Sequence, residues 1–283
     1  EATAAPVESP AEESPVIAPV VAITPVPEGW EVPAATATPA PVVTPAPTAE
    51  PTAEPTAEPT AEPTATPAPT EAPTEPPLVL HSGMDEEGSF NEGTLFIGDS
   101  LTFQMLYGYM KPRGYLGDAK YIAICGSRTT AYFDGTEVKC RAETTLASEE
   151  FNGMLFSEAV ASLGEEATAI YIMWGTNFTW NAYADAYIEI VDFLLETCPN
   201  ATIHLELIPW GYEKMVEYET VNGWIREAYD HYQQIGEERV FLIDTFTAIG
   251  KNHDSGFIHL NDQGNENWYN AIVEHAKTNN LVQ

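Results

Sequence analysis

Positively charged residues are scarce in this sequence. Eleven lysines and arginines stand against 43 aspartates and glutamates, and none of the eleven occurs before Lys111. Twelve acidic residues lie within residues 1–77, so the rest of the chain has 31 acidic and 11 basic residues, a net charge near −20. This deficit argues against nucleic acid and anionic membrane surfaces as partners. A neutral or cationic substrate fits the charge better, and a solvated acidic surface without a partner is the alternative.

Cysteine is also rare, and long apolar runs are missing. The three cysteines, Cys125, Cys140 and Cys198, do not make a disulfide framework, because an odd number leaves a thiol free or linked to another molecule. A Cys125–Cys140 pair is one option, but the apolar segments around all three favour buried small hydrophobic side chains. No run of 18 or more apolar residues exists to span a bilayer. Since the chain begins at Glu1 rather than methionine, we expect a mature secreted protein without its signal peptide; a cytosolic chain with a trimmed terminus is the alternative.

Aromatic residues are nearly absent from residues 1–77, where Trp30 is the single one and 20 of the 23 prolines lie. Such a segment buries too little apolar surface to offset the entropy of ordering, which predicts a disordered Pro/Thr/Ala/Glu-rich tail. A TAEP repeat from Thr48 to Ala65 favours extended polyproline II and predicts a semi-rigid spacer. About 70 residues at roughly 3.1 Å each would reach at most about 200 Å, enough to cross or follow a cell wall. We therefore expect a spacer over 1–77 and one folded domain over 78–283.

Five short apolar runs recur in the predicted domain. Four of them lack alternation, as strands buried on both faces do. The fourth in order, TIHLELI, alternates and predicts an edge strand or one wetter face. The runs are Thr94–Ile97, Tyr121–Ile124, Ala169–Trp174, Thr202–Ile208 and Val240–Ile243.

Stretches with helical spacing separate or follow these runs. They cover Leu101–Met110, Glu149–Leu163, 181–198, 221–235 and Asn265–Thr278. Strand and helix in alternation predict right-handed crossovers and a parallel sheet covered on both faces, that is, a three-layer α/β/α sandwich around five parallel strands. In open sheets of this kind the functional site lies beyond the carboxyl ends of the strands.

Four short polar motifs follow predicted strands. GDSLT, with Ser100, follows the first strand, and CGSRTT, with Gly126, follows the second. WGTNF, with Asn177, follows the third, and HDSGFIHLND, with His259, comes after the fifth. Taken singly, each is typical of a turn or loop, and Asp99 or Ser100 could simply cap the helix that follows.

Together and in this order, the motifs resemble those of the SGNH or GDSL hydrolases, over residues 94 to about 275. The resemblance implies a flavodoxin-like fold and a serine esterase that needs no metal or organic cofactor. It implies Ser100 as the nucleophile, His259 as base and then acid, and an oxyanion hole made of the backbone N–H groups of Ser100 and Gly126 and the Asn177 amide. These roles suit the residue types, because a hydroxyl needs an imidazole to take its proton and a developing oxyanion needs fixed donors.

The sequence departs from the family at the acid of the triad. The family usually has an aspartate three residues before the histidine, where this chain has Gly256. Asp254, five residues before His259, is our candidate for the third member, reaching back through a looser loop. A backbone carbonyl that orients His259 in a Ser–His dyad, and an impaired site, are the alternatives. An imidazole in the wrong tautomer is a poor base, so this position bears directly on rate.

Aromatic residues near two strand ends allow two interpretations: core packing, or a sugar-stacking platform around the pocket. They are Trp174, Phe178, Trp180, Trp210 and Tyr212. Metal-binding patterns are missing, since the sequence has no helical histidine pair with an acidic partner and no paired C-x-x-C.

The resemblance and the spacer together predict a secreted or cell-surface esterase, associated with a cell wall, that removes acetyl groups from plant or cell-wall polysaccharide. A lipase or thioesterase with the same residues is one alternative. A non-catalytic carbohydrate-binding domain that kept the fold and lost its acid is the other. The oligomeric state has no signal in the sequence.

Overall fold

The computed structural model describes residues 79–127, 138, 145–177, 184–209, 218–254 and 259–282. The predicted tail, residues 1–77, lies outside them, so its disorder and the domain boundary at residue 78 stay predictions. In the described part of the chain, no helix is long and apolar enough to cross a membrane.

A six-stranded sheet runs through the centre of the described part, in the order β3-β2-β1-β4-β5-β6. Five strands pair in parallel, as the five apolar runs predict, and the α/β class is confirmed. The predicted number of strands is wrong, because β3 pairs antiparallel with β2 and makes the sheet mixed. The strands are β1 (Thr94–Gly98), β2 (Lys120–Ile124), β3 (Thr145–Ala147), β4 (Ala169–Met173), β5 (Thr202–Glu206) and β6 (Val240–Ile243).

The missed strand, β3, is only three residues long, too short to show an apolar period of its own. Its pairing with β2 supplies partners for backbone N–H and C=O groups that a parallel edge would leave open. β1, β4 and β5 are buried at every residue, so both faces of the sheet are covered, as a three-layer arrangement requires.

Helices follow most strands at the predicted places. The predicted helix over Glu149–Leu163 is interrupted near Gly153, whose φ of +84° does not fit a right-handed helix. The helix after β1 widens into a π-helical segment, Met105–Met110. The α-helices are α1 (Ser100–Gln104), α2 (Lys111–Arg113), α3 (Phe156–Ala161), α4 (Ala184–Thr197), α5 (Tyr218–Ile235), α6 (Thr245–Ile249) and α7 (Asp262–Thr278), with short 3-10 turns at Glu149–Phe151 and Gly164–Glu166.

One face of the sheet carries a row of stacked rings. Phe96, Tyr171, His204 and Phe241 are register neighbours on β1, β4, β5 and β6. Their ring centroids are 5.0, 4.4 and 5.4 Å apart in that order. The ring of His275, from α7, meets His204 edge-on at 5.3 Å. Aromatic cross-strand pairs of this kind hold the register of adjacent strands.

The polar side chains of β5 are buried, so the predicted edge or wetter face is wrong. Thr202, His204 and Glu206 are at most 1% exposed, and β5 lies between β4 and β6. His204 contacts the Thr202 hydroxyl at 2.9 Å and the His275 ring at 3.3 Å. The indole of Trp268, on α7, donates to the Glu206 carboxylate. These buried polar groups therefore find hydrogen-bond partners within the protein.

Candidate active site

Ser100 lies at the junction of β1 and α1, at the carboxyl end of the sheet. Asp99 is the N-cap of α1, and its side chain accepts a hydrogen bond of 3.1 Å from the Leu101 N–H. Ser100 is partly exposed and opens the helix. The first N–H groups of a helix have no partner within it, so the Ser100 N–H is available to an acceptor outside the helix.

Gly98 lets α1 approach β4, the strand beside β1 in the sheet, very closely. A Cβ at this position would lie 1.9 Å from the Thr102 hydroxyl and 2.5 Å from the Met173 carbonyl oxygen. Thr102 donates a hydrogen bond of 3.2 Å to that same carbonyl. Glycine is therefore needed at position 98 for close approach rather than for a left-handed turn.

Asp99 also connects the serine motif to the asparagine motif. Its carboxylate is fully buried and accepts hydrogen bonds from the Thr176 N–H at 3.2 Å and the Thr176 hydroxyl at 2.5 Å. Burial raises the pKa of Asp99, and the hydrogen bonds from Thr176 and Leu101 act in the opposite direction. Asp99, which precedes Ser100, therefore fixes the position of Thr176, which precedes Asn177.

The side chain of Asn177 has an unsatisfied donor. Its Nδ2 atom is buried and has no hydrogen-bond partner among the described residues. A buried N–H without an acceptor is costly, and a native structure that keeps one usually has a use for it. An oxygen anion on a bound molecule is an acceptor that would satisfy it.

Gly126 leaves open space at the end of β2. Its φ is +75°, it is exposed, and no atom of the described residues lies within 4 Å of where a Cβ would be. The adjacent Ser127 holds this turn in place, since its N–H donates to the Ile124 carbonyl at 3.1 Å and its hydroxyl accepts from the Trp174 indole at 3.2 Å. The left-handed backbone favours glycine, and a ligand can approach it closely.

The aromatic residues near the strand ends divide into two groups. Trp174 is fully buried and packs in the core, so the platform interpretation is wrong for this residue. The other four, Phe178, Trp180, Trp210 and Tyr212, lie outside the described residues.

His259 lies on one arm of a short antiparallel hairpin. His253 and Leu260 form a β-bridge, and the Asp254 N–H donates to the His259 carbonyl at 2.9 Å. Asp254 is therefore directly opposite His259, and opposed residues of an antiparallel pair project their side chains to the same side, with Cβ atoms about 4.5–5.5 Å apart. Asp254 is exposed and His259 half-buried. Gly256 lies outside the described residues.

Side-chain amides anchor this hairpin. Gln104, one turn after the serine in α1, donates to the Leu260 carbonyl at 2.9 Å and accepts from the Leu260 N–H at 3.1 Å. Asn261 caps α7 by accepting from the Gly264 N–H at 2.9 Å, and it donates to the His253 carbonyl at 3.1 Å. The histidine arm is thereby tied to α1 on one side and to α7 on the other.

The site also contains contacts that the sequence motifs do not predict. The Asp99–Thr176 pair and the Gln104–Leu260 pair join segments 77 and 156 positions apart. Gln104 lies four residues after Ser100, which places it on the same helix face, and that spacing is the sequence signal that could have identified it. Its partner is a backbone group, which leaves no residue-type signal.

Metal-ligating groups do not converge among the described residues, where no cluster of three histidine, cysteine or acidic side chains is found. Cys125 is half-buried beside Gly126, and burial raises the pKa of its thiol. Cys198 is buried, as expected, and burial raises the pKa of its thiol to about 11. Cys140 lies outside the described residues.

Comparison with known proteins gives one family match and several structural neighbours. Residues 96–266, more than half of the chain, match the model of the GDSL-like Lipase/Acylhydrolase family. No match was found among curated proteins. A family two carbohydrate esterase from Clostridium thermocellum, in complex with cellohexaose, is similar at 14% identity and a TM-score of 0.47, over 66% of this chain and 63% of that one.

Two further neighbours have similar scores. A carbohydrate esterase family 3 structure from Talaromyces cellulolyticus matches at 16% identity and a TM-score of 0.44, over 65% of this chain and 96% of that one. A GDSL-like lipase from Bacteroides thetaiotaomicron matches at 10% identity and a TM-score of 0.43, over 66% of this chain and 88% of that one.

Proposed function

The chain belongs to the GDSL-like lipase/acylhydrolase family and is a serine hydrolase that acts on ester bonds, and we propose that Ser100, His259, Gly126 and Asn177 form its active site. Gly126 and Asn177 follow the carboxyl ends of β2 and β4, on either side of the β1 end that bears Ser100. Parallel strands bring such ends to one edge of a sheet.

The proposed reaction passes through an acyl-enzyme. The Ser100 oxygen attacks the ester carbonyl while the His259 imidazole takes the hydroxyl proton. Negative charge that develops on the carbonyl oxygen is met by the backbone N–H groups of Ser100 and Gly126 and by the Asn177 amide. His259 then gives its proton to the departing alcohol. Water, deprotonated by His259, then attacks the acyl-serine, and the imidazolium returns this proton to the Ser100 oxygen as the acid is released.

The observation that carries this proposal is the buried Nδ2 of Asn177, for which the described part of the chain offers no acceptor. The N–H and the hydroxyl of Thr176 both donate to Asp99, the N-cap of α1. Because Asn177 follows Thr176 directly, these bonds hold its backbone near the serine helix. A fixed donor with no acceptor among the described residues supports an oxyanion role, because preorganised donors lower the barrier without reorganising during the reaction.

For the third member of the triad we propose Asp254. Its position directly opposite His259 in the hairpin supports this role, since the two side chains project to the same side. A carboxylate there would hold the imidazole in the tautomer that accepts the serine proton. An Asp254→Asn variant keeps the size and removes the charge, and a turnover equal to that of the parent would exclude Asp254 as the orienting acid.

As substrate we propose acetyl esters of polysaccharide or cell-wall glycan, and as location the cell exterior. The proline-rich, repetitive segment before the domain supports an extracellular spacer. The acidic surplus supports a neutral glycan over a polyanion. No step of the proposed reaction requires a cofactor.

Two assays on the full chain test the proposal: hydrolysis of aryl esters from acetate to octanoate, and labelling by a fluorophosphonate. The parent should be labelled and should prefer acetate, and Ser100→Ala should lose both activities. Turnover that rises with acyl length would favour a lipase or thioesterase instead. A parent chain that is not labelled but still binds glycan would replace the enzyme with a carbohydrate-binding domain.

A further inference from the structure

We propose that Gln104 is a positioning residue that holds the His259 hairpin against the serine helix. This inference rests on the proposed roles of Ser100 and His259. Gln104 touches neither reacting atom in the proposed reaction. It acts through the backbone of Leu260, the residue that follows the histidine.

The contact has two hydrogen bonds in opposite directions. The Gln104 amide nitrogen donates to the Leu260 carbonyl at 2.9 Å, and its amide oxygen accepts from the Leu260 N–H at 3.1 Å. A primary amide can satisfy both backbone groups of one residue, whereas a hydroxyl or an ammonium group offers no such planar donor–acceptor pair. The two bonds together fix the orientation of the Leu260 peptide units as well as their distance.

The position of Gln104 in α1 gives this contact its consequence. Residues four apart lie on one face of a helix, so Gln104 lies one turn below Ser100. α1 is itself fixed at its start by the Asp99 cap and by the Thr102 hydroxyl on the Met173 carbonyl. The two Gln104–Leu260 hydrogen bonds, here called the Gln104 clamp, therefore fix the histidine arm to α1, the same helix that carries the nucleophile.

Other anchors of the hairpin lead to different elements. Asn261 joins it to the first turn of α7, and the Asn252 side chain donates to the Ile249 carbonyl of α6 at 2.8 Å. Loss of the Gln104 clamp would leave these anchors in place. The expected defect is thus a histidine that is present in a folded chain but displaced from the serine.

Such a displacement should appear in turnover. A general base must lie within hydrogen-bond reach of the proton that it takes, and a misplacement of about 1 Å can cost about 100-fold in rate. Gln104→Met keeps the length of the side chain and removes both hydrogen bonds, while Gln104→Ala also removes the packing. We expect kcat for an aryl acetate to fall by about 10- to 100-fold in both variants, with KM little changed.

A second glutamine supplies the matched control. The Gln233 amide also donates to a backbone carbonyl, that of Val240, at 3.3 Å, but at the amino end of β6, away from the proposed site. Gln233→Ala in the full chain should keep the parent kcat. Gln104→Met with kcat equal to that of the Gln233 control, at the same folded fraction by circular dichroism, would overturn the proposal.

A double-mutant cycle separates a positioning role from a general structural one. If Gln104 acts through His259, then Gln104→Met should cost nothing further in a His259→Ala background, because the base is already missing. An equal cost in both backgrounds would show that Gln104 does not act through the histidine. A His259→Ala chain as active as the parent would remove the proposed function itself, a result distinct from failure of the clamp.

Discussion

Thr176 and Asn177 are neighbours in the loop after β4, but their side chains are satisfied differently. Thr176 gives both of its donors to the buried carboxylate of Asp99. The Asn177 amide nitrogen has no acceptor in the described part of the chain. Thr176 therefore contributes to folding, whereas Asn177 is the proposed oxyanion donor, so substitutions at the two positions should affect different measurements.

Asn177→Ala should lower turnover without lowering stability. Removal of one oxyanion donor typically costs about 10²- to 10³-fold in kcat. Because the amide nitrogen makes no hydrogen bond among the described residues, its loss should leave the free energy of unfolding unchanged or slightly raised. Chemical denaturation and aryl acetate kinetics measure the two quantities.

Asn222→Ala is the comparison for Asn177→Ala. The Asn222 amide is bonded at both ends to the Ile208 backbone, at 2.8 and 2.9 Å. Its removal should lower the free energy of unfolding by about 1–3 kcal/mol, since buried backbone groups lose their partners. If Asn177→Ala destabilised the chain as much as Asn222→Ala, its amide would have a structural partner after all.

Thr176→Val removes the hydroxyl donor to Asp99 and keeps the shape of the side chain. The carboxylate is fully buried, so we expect a loss of about 1–3 kcal/mol in the free energy of unfolding. Turnover should fall as well, because Thr176 positions Asn177, the next residue in the chain and the proposed oxyanion donor. Both effects are measured as for the asparagine variants.

An exposed threonine–aspartate pair is available as the control for Thr176→Val. The Thr247 hydroxyl donates to Asp244 at 2.7 Å at the start of α6. Thr247→Val should cost less than about 1 kcal/mol, because water replaces the lost donor. Equal losses at the two sites would mean that burial of Asp99 adds nothing to the strength of its bond.

At the scale of elements, the face between β5 and α7 contains three ionisable groups held neutral. Burial raises the pKa of Glu206 to about 8, although the Trp268 hydrogen bond acts against this. Burial lowers the pKa of His204 to about 3, with the adjacent His275 adding to the effect. Burial also lowers the pKa of His275 to about 4.

These shifts give stability a pH dependence of known sign. Between pH 4.5 and about 8 the unfolded chain has released the Glu206 proton that the folded chain keeps, so this group lowers stability as pH rises. Below pH 6.5 the unfolded chain protonates His204 and His275 while the folded chain does not, so they lower stability as pH falls. The two contributions oppose each other in the window they share.

Glu206→Gln should remove the first contribution and leave the second. The variant should gain in Tm relative to the parent at pH 8 and gain less, or lose, at pH 5, because the parent side chain is already neutral there. Calorimetry at both pH values measures the change. Glu266→Gln, at an exposed position on α7, serves as control, and the same Tm shift in both variants would contradict the assignment to burial.

At the scale of the whole molecule, the segment just before β1 belongs to the folded part. The N–H and hydroxyl of Ser82 both donate to the Leu281 carbonyl at 3.0 Å. The Tyr171 hydroxyl donates to the Ser82 carbonyl at 2.8 Å, and Phe90 packs edge-on against Phe96 and Tyr171. The start and the end of the described domain are thereby joined across the sheet.

Two truncations should therefore differ sharply. Removal of residues 1–77 should leave Tm and aryl acetate turnover as in the full chain, because the predicted spacer adds no core. Removal of residues 1–90 deletes the buried Phe90 and Met84 and should cost at least about 3 kcal/mol in the free energy of unfolding. A loss of stability on removal of residues 1–77 alone would place part of the core within the tail.

The sequence predicted what depends on local pattern. Continuous apolar runs identified β1, β2, β4 and β6, and the motif order indicated the family. β5 was placed correctly but misread, because the alternation of Thr202, His204 and Glu206 looks the same whether the polar face meets water or a polar helix such as α7. Gln104 and the Asp99–Thr176 pair went unassigned: the four-residue spacing places Gln104 on the helix face of Ser100, but no spacing identifies its partner, the Leu260 backbone, or pairs Asp99 with Thr176. The role of Asp254 stays a prediction, supported by the register of the hairpin.

The bonds that hold the site together also set when it can form. Asp99 and Thr176 close a loop of 77 positions, and Gln104 and Leu260 close one of 156. Long loops lose more entropy on closure than short ones, so pairing of neighbouring strands precedes such contacts. The histidine hairpin and α7 follow β6 along the chain, so Ser100, directly after β1, is synthesised well before His259. A chain that folds from its amino end would thus complete most of its sheet before it could hydrolyse anything, and catalysis would begin only once the His259 hairpin and α7 are in place.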